Sequence, residues 1–222
     1  MTNRSFVIRQ GRITARQERA LSELWPRFGI DVAENEMLDF QKIFPSYREI
    51  VVEIGFGNGE SLLEMAASAA DTGFVGIEVY PPGIGRILSE IELRGIENVR
   101  ILRGDAAAFF TNNFPDETID RVQVYFPDPW HKLRHHKRRL LQQEFCDKLW
   151  KKIKKNGYLH IATDWQNYAE SIRDFLLPDA KWKNLGNSEG FIDKPEFRPL
   201  TKFEQRGIKK GHGVWDLLYQ KL

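Results

Sequence analysis

Five acidic residues follow apolar, strand-like segments of this chain. They are Glu53, Glu78, Asp105, Asp128 and Asp164. A single acid in such a place more often caps a helix or faces solvent than binds a ligand. Five in equivalent places are harder to explain in that way, because ligands of open parallel sheets bind beyond the carboxyl ends of the strands. We therefore predict one site that gathers these carboxylates.

A glycine-rich turn follows the first of these segments. Gly55, Gly57 and Gly59 in the run EIGFGNGES allow a sharp turn and a close approach of a ligand to the backbone, and we expect all three to contact it. The spacing G-x-G-x-G is one residue shorter than that of the dinucleotide-binding motif, and Glu53 precedes it. The glutamate would repel a pyrophosphate and attract a cationic amino group. The turn therefore disfavours an oxidoreductase that uses a nicotinamide cofactor.

The next two acids suit an adenosine ligand. Glu78 lies 25 positions after Glu53, where a carboxylate can accept hydrogen bonds from ribose hydroxyls. Asp105, which follows Gly104, can accept a hydrogen bond from the exocyclic amine of adenine. An amino acid joined to adenosine satisfies all three acids, so the predicted cofactor is S-adenosylmethionine.

The positive charge of the chain is concentrated in one segment. Residues 131–155 contain ten Lys and Arg residues against two acids. Residues 151–155 are typical of a solvated helix face, whereas residues 131–139 (HKLRHHKRR) directly follow a predicted strand end and favour contacts with phosphates. His131 and His135 are four residues apart, but no acid or cysteine completes a zinc-binding set. No metal site is predicted.

The segments that must position these groups alternate between strand and helix. Ile84, Ile87, Leu88 and Ile91 have the spacing of an amphipathic helix, which Gly95 is expected to end. Parallel strands need crossover helices that cover both faces of a sheet. Residues 49–177 thus predict an α/β fold with a doubly wound, mostly parallel sheet, to which residues 214–219 (VWDLLY) could add a last strand. The predicted parallel strands are residues 49–54, 73–80, 99–102, 121–126 and 158–163.

Composition disfavours several classes of protein. The chain has 222 residues, a formal net charge of +2, 41% hydrophobic residues and one cysteine. Its longest stretch without a charged residue, residues 106–115, has 10 residues, about half of what a membrane-spanning helix needs. A membrane protein, a disulfide-bonded protein and a disordered chain are all disfavoured. A cytoplasmic location is expected, with no obligatory protein subunit.

The domain organisation is predicted from the N-terminal charge. Residues 1–17 contain four arginines and no acid, which predicts a basic N-terminal arm over residues 1–40 that could be flexible. Residues 41–222 are expected to form a single domain.

Five motifs together resemble one protein family. They are SFVIRQGRITARQERAL at 5–21, the glycine-rich run at 53–59, FPDPWHKLRHHKRR at 126–139, ATDW at 162–165 and TKFEQRG at 201–207. With these motifs, which span nearly the whole chain, the sequence resembles the bacterial tRNA (guanine-N7-)-methyltransferases. The resemblance implies a Rossmann-like fold that binds S-adenosylmethionine. It also implies an enzyme that methylates N7 of a guanine in the tRNA variable loop, guanine 46 in the family.

The resemblance also implies roles for individual residues. Cofactor contacts fall on Glu53, Glu78, Asp105 and Asp128, and Asp128 is also the implied catalytic residue. Substrate binding falls on Lys132, Asp164, Thr201, Lys202, Phe203 and Glu204, of which the last four rest on the resemblance alone. RNA contacts fall on Arg134, His135, His136, Lys137, Arg138 and Arg139.

Two other interpretations stay open at this point. Asp128-Pro129-Trp130 is similar to the acid-Pro-Pro-aromatic motif of methyltransferases that act on the amino groups of adenine or cytosine, although the second proline is missing. A non-catalytic RNA-binding module would explain the basic segment, but it would leave the strand-end acids without a purpose.

Overall fold

A single sheet carries the site. The computed structural model of the chain describes residues 5–6, 11–209 and 211–222, apart from the side chains of Lys202 and Phe203. The order of strands across the sheet is β3-β2-β1-β4-β5-β7-β6. Strands β1 to β5 are parallel, and β7 is antiparallel to both of its neighbours. The predicted doubly wound, mostly parallel sheet is thus confirmed. In chain order the strands are β1 (Glu49–Ile54), β2 (Thr72–Glu78), β3 (Val99–Arg103), β4 (Ile119–Tyr125), β5 (Ile153–Thr163), β6 (Trp182–Asn184) and β7 (Trp215–Lys221).

The direction of the strand order reverses between β1 and β4. From β1 the chain moves outward through β2 to β3, and it then returns to the other side of β1 as β4. Such a reversal opens a crevice at the carboxyl ends of the two strands, where ligands of open α/β sheets bind. Glu53 of β1 is paired with Gln123 of β4. The first predicted acid therefore lies at the crevice.

Helices cover both faces of the sheet. Side chains alternate along β1, so that Val51 packs into one apolar cluster and Val52 into the other. Helices α1, α4 and α5 pack on the Val51 side, and α6, α7 and α8 pack on the Val52 side. Gly95, at φ 64°, ends α5 as expected. Among the helices of the described residues, none is both long and apolar enough to cross a membrane. The helices are α1 (Ala15–Glu23), α2 (Trp25–Phe28), α3 (Phe40–Ile43), α4 (Glu60–Ser68), α5 (Pro81–Arg94), α6 (Ala106–Asn112), α7 (Gln143–Lys152), α8 (Gln166–Leu176) and α9 (Lys202–Ile208).

Residues 11–40 pack onto the domain. Helix α1 lies against α5, where the Gln17 amide donates a hydrogen bond to the Pro82 carbonyl at 3.1 Å. The approach is close, because a Cβ added to Gly85 would lie 2.6 Å from the Gln17 carbonyl oxygen. Of the predicted arm over residues 1–40, residues 1–4 and 7–10 lie outside the described residues. Residues 11–40 belong to the folded body, since Ala20 and Phe28 are buried in its core.

Candidate active site

A cleft of about 380 Å³ opens at the carboxyl ends of β1 to β4. Three of the predicted acids, Glu78, Asp105 and Asp128, line it. Ser5 and Phe6, from the N-terminal segment, line it as well. The sheet therefore gathers acids that lie far apart in the sequence, as the strand-end pattern predicts.

A second cavity adjoins this cleft. Gly55 and Phe126 line both cavities, together with Tyr125. Glu53 lies in the second cavity, where Thr201 and Arg206 form part of the wall. The C-terminal segment of the chain thus reaches the glycine-rich turn, where Thr201 borders the same cavity as Glu53. Two other predicted substrate residues, Lys132 and Asp164, line neither cavity.

The three glycines of the turn have two different roles. Gly55 and Gly57 have φ values of 73° and 58°, and a Cβ added at either would meet nothing within 4 Å. Their backbone therefore borders open space that a ligand can fill. Gly59, at φ 76°, differs, because an added Cβ would lie 2.4 Å from the Ile87 side chain. Gly59 thus packs the turn against α5, and its contact with the cofactor stays a prediction.

The Glu53 carboxyl group is buried beneath the glycine-rich turn. It accepts hydrogen bonds from the Ser61 hydroxyl at 2.7 Å and from the Gln123 amide at 2.9 Å. Burial raises the pKa of Glu53 to about 7, against opposing effects of its two hydrogen bonds and the nearby Arg121. Glu53 therefore exchanges its proton near neutral pH, and a ligand cation beside it would favour the ionised form.

The next two acids are held by backbone amides. Glu78 accepts hydrogen bonds from the N–H groups of Gly57 at 2.9 Å, Val79 at 2.7 Å and Tyr80 at 3.1 Å. This carboxylate therefore ties the glycine-rich turn to the end of β2. Asp105 caps α6 by accepting the N–H of the second residue of the helix at 3.0 Å. Both carboxylates are oriented before any ligand binds.

The loop after β4 holds Asp128 in a strained backbone. Phe126 and Trp130, on either side of it, have φ values of 50° and 49°. Bulky residues rarely adopt such values, and strain of this kind concentrates at functional sites. The Phe126 N–H donates a hydrogen bond to the Ala162 carbonyl at 2.7 Å, which ties the loop to β5. Asp128 is exposed, and the loop fixes it in the wall of the cleft.

The first half of the basic segment presents exposed cations. A 3₁₀ helix, Leu133–Arg138, follows the strained loop. The Arg138 guanidinium carbon lies 3.8 Å from the centroid of the Trp130 ring, a cation–π contact that holds the helix to the loop. A polyanion can reach the remaining cations of this segment. They are Lys132, Arg134 and Lys137.

The histidines of this segment contact neighbouring side chains. His135 lies edge-on to Trp130, with ring centroids 5.8 Å apart, and His131 lies against Trp165, with centroids 4.1 Å apart. His136 places a ring nitrogen 3.2 Å from the Arg139 guanidinium. Desolvation, followed by the neighbouring cations, lowers the pKa of His135. In the unbound protein the imidazole is therefore neutral at pH 7 and does not add to the positive charge of the segment.

Arg139 does not face the surface. Its guanidinium donates to the Pro129 carbonyl and to the Asn167 side chain, both at 2.9 Å, and lies 4.6 Å above the Tyr168 ring. The residue is only 5% exposed. The predicted RNA contact by Arg139 is therefore corrected, because these partners enclose the charge. Arg139 braces the Asp128 loop against α8.

The second half of the basic segment also has structural partners. Lys152 is buried and pairs with Asp116 at 2.5 Å. Lys154 pairs with Asp120 at 2.8 Å. The sequence predicts a solvated helix face over residues 151–155, but α7 ends at Lys152 and β5 begins at Ile153. The charges of Lys152 and Lys154 belong to the body of the fold, whereas Lys151 and Lys155 are exposed.

The C-terminal segment carries the remaining predicted substrate residues. Asp164, after β5, has a carboxylate oxygen 4.0 Å from the His212 ring. Thr201 caps α9 by accepting the Glu204 N–H at 3.2 Å. The Glu204 carboxylate is buried and paired with Arg198, so the prediction that it contacts a substrate is corrected. Two further predicted residues, Lys202 and Phe203, have side chains outside the described part of the structure.

Sequence reasoning missed the buried polar groups behind the site. Gln123 and Tyr125 of β4, His160 of β5 and Asp216 of β7 are all buried and hydrogen-bonded. One signal was available: His160 and Asp216 each interrupt an apolar strand. Such residues are stable in a core only when they have partners.

The sequence matches a known family of enzymes. The family described as "Putative methyltransferase" matches residues 47–217. A tRNA (guanine-N(7)-)-methyltransferase of Nitrosococcus oceani is 50% identical over 98% of this chain and 90% of its own length. The chain belongs to the tRNA (guanine-N7-)-methyltransferase family. A further relative of that name, from Shewanella amazonensis, is 45% identical over 99% of this chain and 92% of its own length.

Solved structures share the fold of this tRNA (guanine-N7-)-methyltransferase family member. The 16S rRNA methyltransferase KamB superposes with a TM-score of 0.61 at 16% identity, over 87% of this chain and 97% of that one. A Streptococcus mutans protein described as "a putative methyltransferase", in complex with SAH, gives a TM-score of 0.54 at 10% identity, over 80% of this chain and 90% of that one. By its family, the chain is an S-adenosylmethionine-dependent methyltransferase. The oxidoreductase and the non-catalytic interpretations are thereby excluded.

Proposed function

We propose that this chain methylates N7 of a guanine in tRNA, at position 46 of the variable loop. The placement of Asp128 is the observation that carries the proposal. Its exposed carboxylate lines the cofactor cleft, and the exposed cations of residues 131–139 follow it directly in the chain. One loop thus joins a cleft for the methyl donor to a surface for a polyanion. The enzyme works in the cytoplasm, where bacterial tRNA is found.

The cleft and the cavity that adjoins it together fit the polar groups of S-adenosylmethionine, which supplies an electrophilic methyl group when it is bound. The open backbone of Gly55 and Gly57 leaves room for a ligand. The acids accept hydrogen bonds when ionised, and the ligand offers an ammonium group, ribose hydroxyls and an adenine amine as donors. In this arrangement Glu53 holds the ammonium group, Glu78 the ribose and Asp105 the adenine.

Asp128 orients the guanine. Guanine N7 carries a lone pair and no proton, so the site needs no general base. A carboxylate can accept hydrogen bonds from guanine N1–H and N2–H, the donors that distinguish guanine from adenine. The same carboxylate stabilises the positive charge that methylation places on the purine. Asp164 follows the neighbouring strand β5 and is the second candidate for this contact.

The exposed cations Lys132, Arg134 and Lys137 bind the tRNA backbone. Phosphate contacts fix the position and orientation of a nucleic acid but do not read its sequence. Base selection is therefore left to the carboxylates at the strand ends. In keeping with this division, Arg134 and Lys137 lie on the exposed 3₁₀ helix and Lys132 directly precedes it, while Asp128 lies at the cleft.

The position of the modified base is tested with two tRNA transcripts, one with guanine at position 46 and one with adenine there. Labelled S-adenosylmethionine is the methyl donor. Transfer to the first transcript and none to the second supports the proposal. Equal methyl transfer to both transcripts would show that the methylated base lies at another position of the tRNA.

A further inference from the structure

Arg198 lies between two carboxylates beneath the C-terminal segment. Its guanidinium donates to both carboxylate oxygens of Glu204, at 2.6 and 2.8 Å. It also donates to both oxygens of Asp216, each at 2.8 Å. Arg198 is 1% exposed. A guanidinium stays charged when it is buried, and both pairs of hydrogen bonds are needed to offset the water that it loses.

Helix α9 depends on this contact for its position. Of the described side chains in α9, only that of Glu204 is buried. Glu204 lies in the first turn of α9, where its N–H donates to the Thr201 hydroxyl. Thr201 and Arg206, on either side of Glu204 in the sequence, line the cavity that contains Glu53. The orientation of Glu204 therefore determines where Thr201 and Arg206 lie in that wall.

The other carboxylate, Asp216, leads back to the cofactor residue. His160 lies 2.8 Å from Asp216, and its second ring nitrogen lies 2.9 Å from the Tyr125 hydroxyl. That hydroxyl lies 3.1 Å from Gln123, whose amide donates to Glu53. The polar groups from Glu204 to Glu53 thus form one continuous hydrogen-bonded chain through the core. Arg198 is the member that connects this chain to α9.

We propose that Arg198 is a positioning residue for methyl transfer, which anchors α9 through Glu204 so that Thr201 and Arg206 take their places beside Glu53. Glu204 then acts through Arg198 and does not contact the tRNA itself. The proposal rests on the proposed function, because it gives the Thr201–Glu204 segment its place at the substrate site.

The first test compares Arg198→Lys with a matched control. Lysine keeps the positive charge but cannot donate paired hydrogen bonds to both Glu204 and Asp216. We expect kcat/KM for tRNA to fall by about 100-fold, the cost of a misplacement of the order of 1 Å, with the Kd of S-adenosylmethionine changed by less than about threefold. The control is Lys221→Met. Lys221 is also a buried cation of the fold, but it pairs with Glu117 and the Ile153 carbonyl at the other end of β7.

The control separates a positioning role from a loss of stability. Lys221→Met is expected to lower the Tm and to leave kcat/KM unchanged. If folded Arg198→Lys retains full kcat/KM for tRNA, the proposal is overturned. If the wild-type chain does not methylate tRNA, the proposed function fails. The hydrogen-exchange experiment described next would still show whether Arg198 anchors α9.

The second test uses Glu204→Gln, with hydrogen exchange of the protein without substrate as the readout. We expect faster exchange at residues 201–209 in both Glu204→Gln and Arg198→Lys, with β4 unchanged. Unchanged exchange in α9 would contradict the anchor.

A double-mutant cycle gives the third readout. The losses in kcat/KM from the two substitutions should not multiply in the double variant, because both break one contact. Losses that multiply would show that Glu204 contacts the substrate directly, and would overturn the proposal.

Discussion

The cofactor cleft and the basic segment hold their charged groups in opposite ways. Side chains fix Glu53 in the cavity that adjoins the cleft, and backbone amides fix Glu78 in the cleft itself, in both cases by hydrogen bonds. In the basic segment, Lys132, Arg134 and Lys137 extend into solvent. Preorganised acids suit a small ligand whose atoms must be placed accurately, whereas exposed cations suit a flexible polyanion whose phosphates need only be held.

Asp128 lies where the two regions meet, and its replacement should have the largest effect. Asp128→Asn is expected to lower kcat by about 10² to 10³-fold, the range seen when one stabilising group of a developing charge is removed. The Kd of tRNA should change little, because the cations are intact. Single-turnover transfer and tRNA binding are the measurements. Glu34→Gln, at another exposed acid, is the matched control, and an equal loss in both variants would remove Asp128 from the reaction.

Glu53 should make the stability of the protein depend on pH. The pKa of Glu53 is raised to about 7, so the folded state keeps a proton that the unfolded state loses near 4.5. The free energy of unfolding should therefore fall as pH rises from about 4.5 to 7 and level off above that range. Between pH 5 and 8 the contribution is about 2 to 3 kcal/mol. Denaturant unfolding of the wild type and Glu53→Gln checks this, and the variant should lack that decrease.

The same group should link cofactor binding to proton release. A cation beside Glu53 favours its ionised form, so the affinity for S-adenosylmethionine should rise about tenfold from pH 6 to 8. Calorimetry in buffers of different ionisation enthalpy measures the released proton. Equal affinity at both pH values would show that Glu53 does not face the ammonium group.

The exposed cations should affect tRNA binding alone. Arg134→Ala combined with Lys137→Ala should weaken tRNA binding about tenfold at moderate salt and lower the slope of log Kd against log salt by about 2. Cofactor affinity should stay the same. Lys151→Ala, at an exposed lysine of α7, is the control and should change neither quantity. A loss of cofactor affinity in the double variant would contradict the assignment of cofactor binding and tRNA binding to separate regions.

Arg138 and Arg139 are adjacent in the sequence, and only Arg139 is buried, so their replacement compares a structural with a surface arginine. Arg139→Ala leaves the Pro129 carbonyl and the Asn167 side chain without their partner, and should lower the free energy of unfolding by about 1 to 2 kcal/mol. Its effect on the salt slope of tRNA binding should be near zero. Arg138→Ala should cost less stability, about 0.5 kcal/mol. Thermal unfolding and salt titration separate them, and a reduced salt slope in folded Arg139→Ala would return that residue to the RNA surface.

The sequence predicts the sheet and the placement of the strand-end acids, because both follow from periodicity and from the geometry of parallel strands. The sequence does not predict whether a side chain in irregular structure is buried in the protein or faces solvent. Arg138 and Arg139 have the same chemistry, yet one lies over Trp130 and the other is enclosed by α8. Gly59 and Glu204 show the same limit. Ile87, which packs against Gly59, is distant in the sequence. Arg198, which pairs with Glu204, follows no periodic pattern.

The central claim is that this chain transfers a methyl group to guanine N7 of tRNA. Unmodified tRNA is incubated with the wild-type enzyme and labelled S-adenosylmethionine, and the digested nucleosides are separated and identified. The account predicts label in 7-methylguanosine. Label in a methylated amino group of adenine or cytosine would contradict it and favour the amino-methyltransferase interpretation of Asp128-Pro129-Trp130.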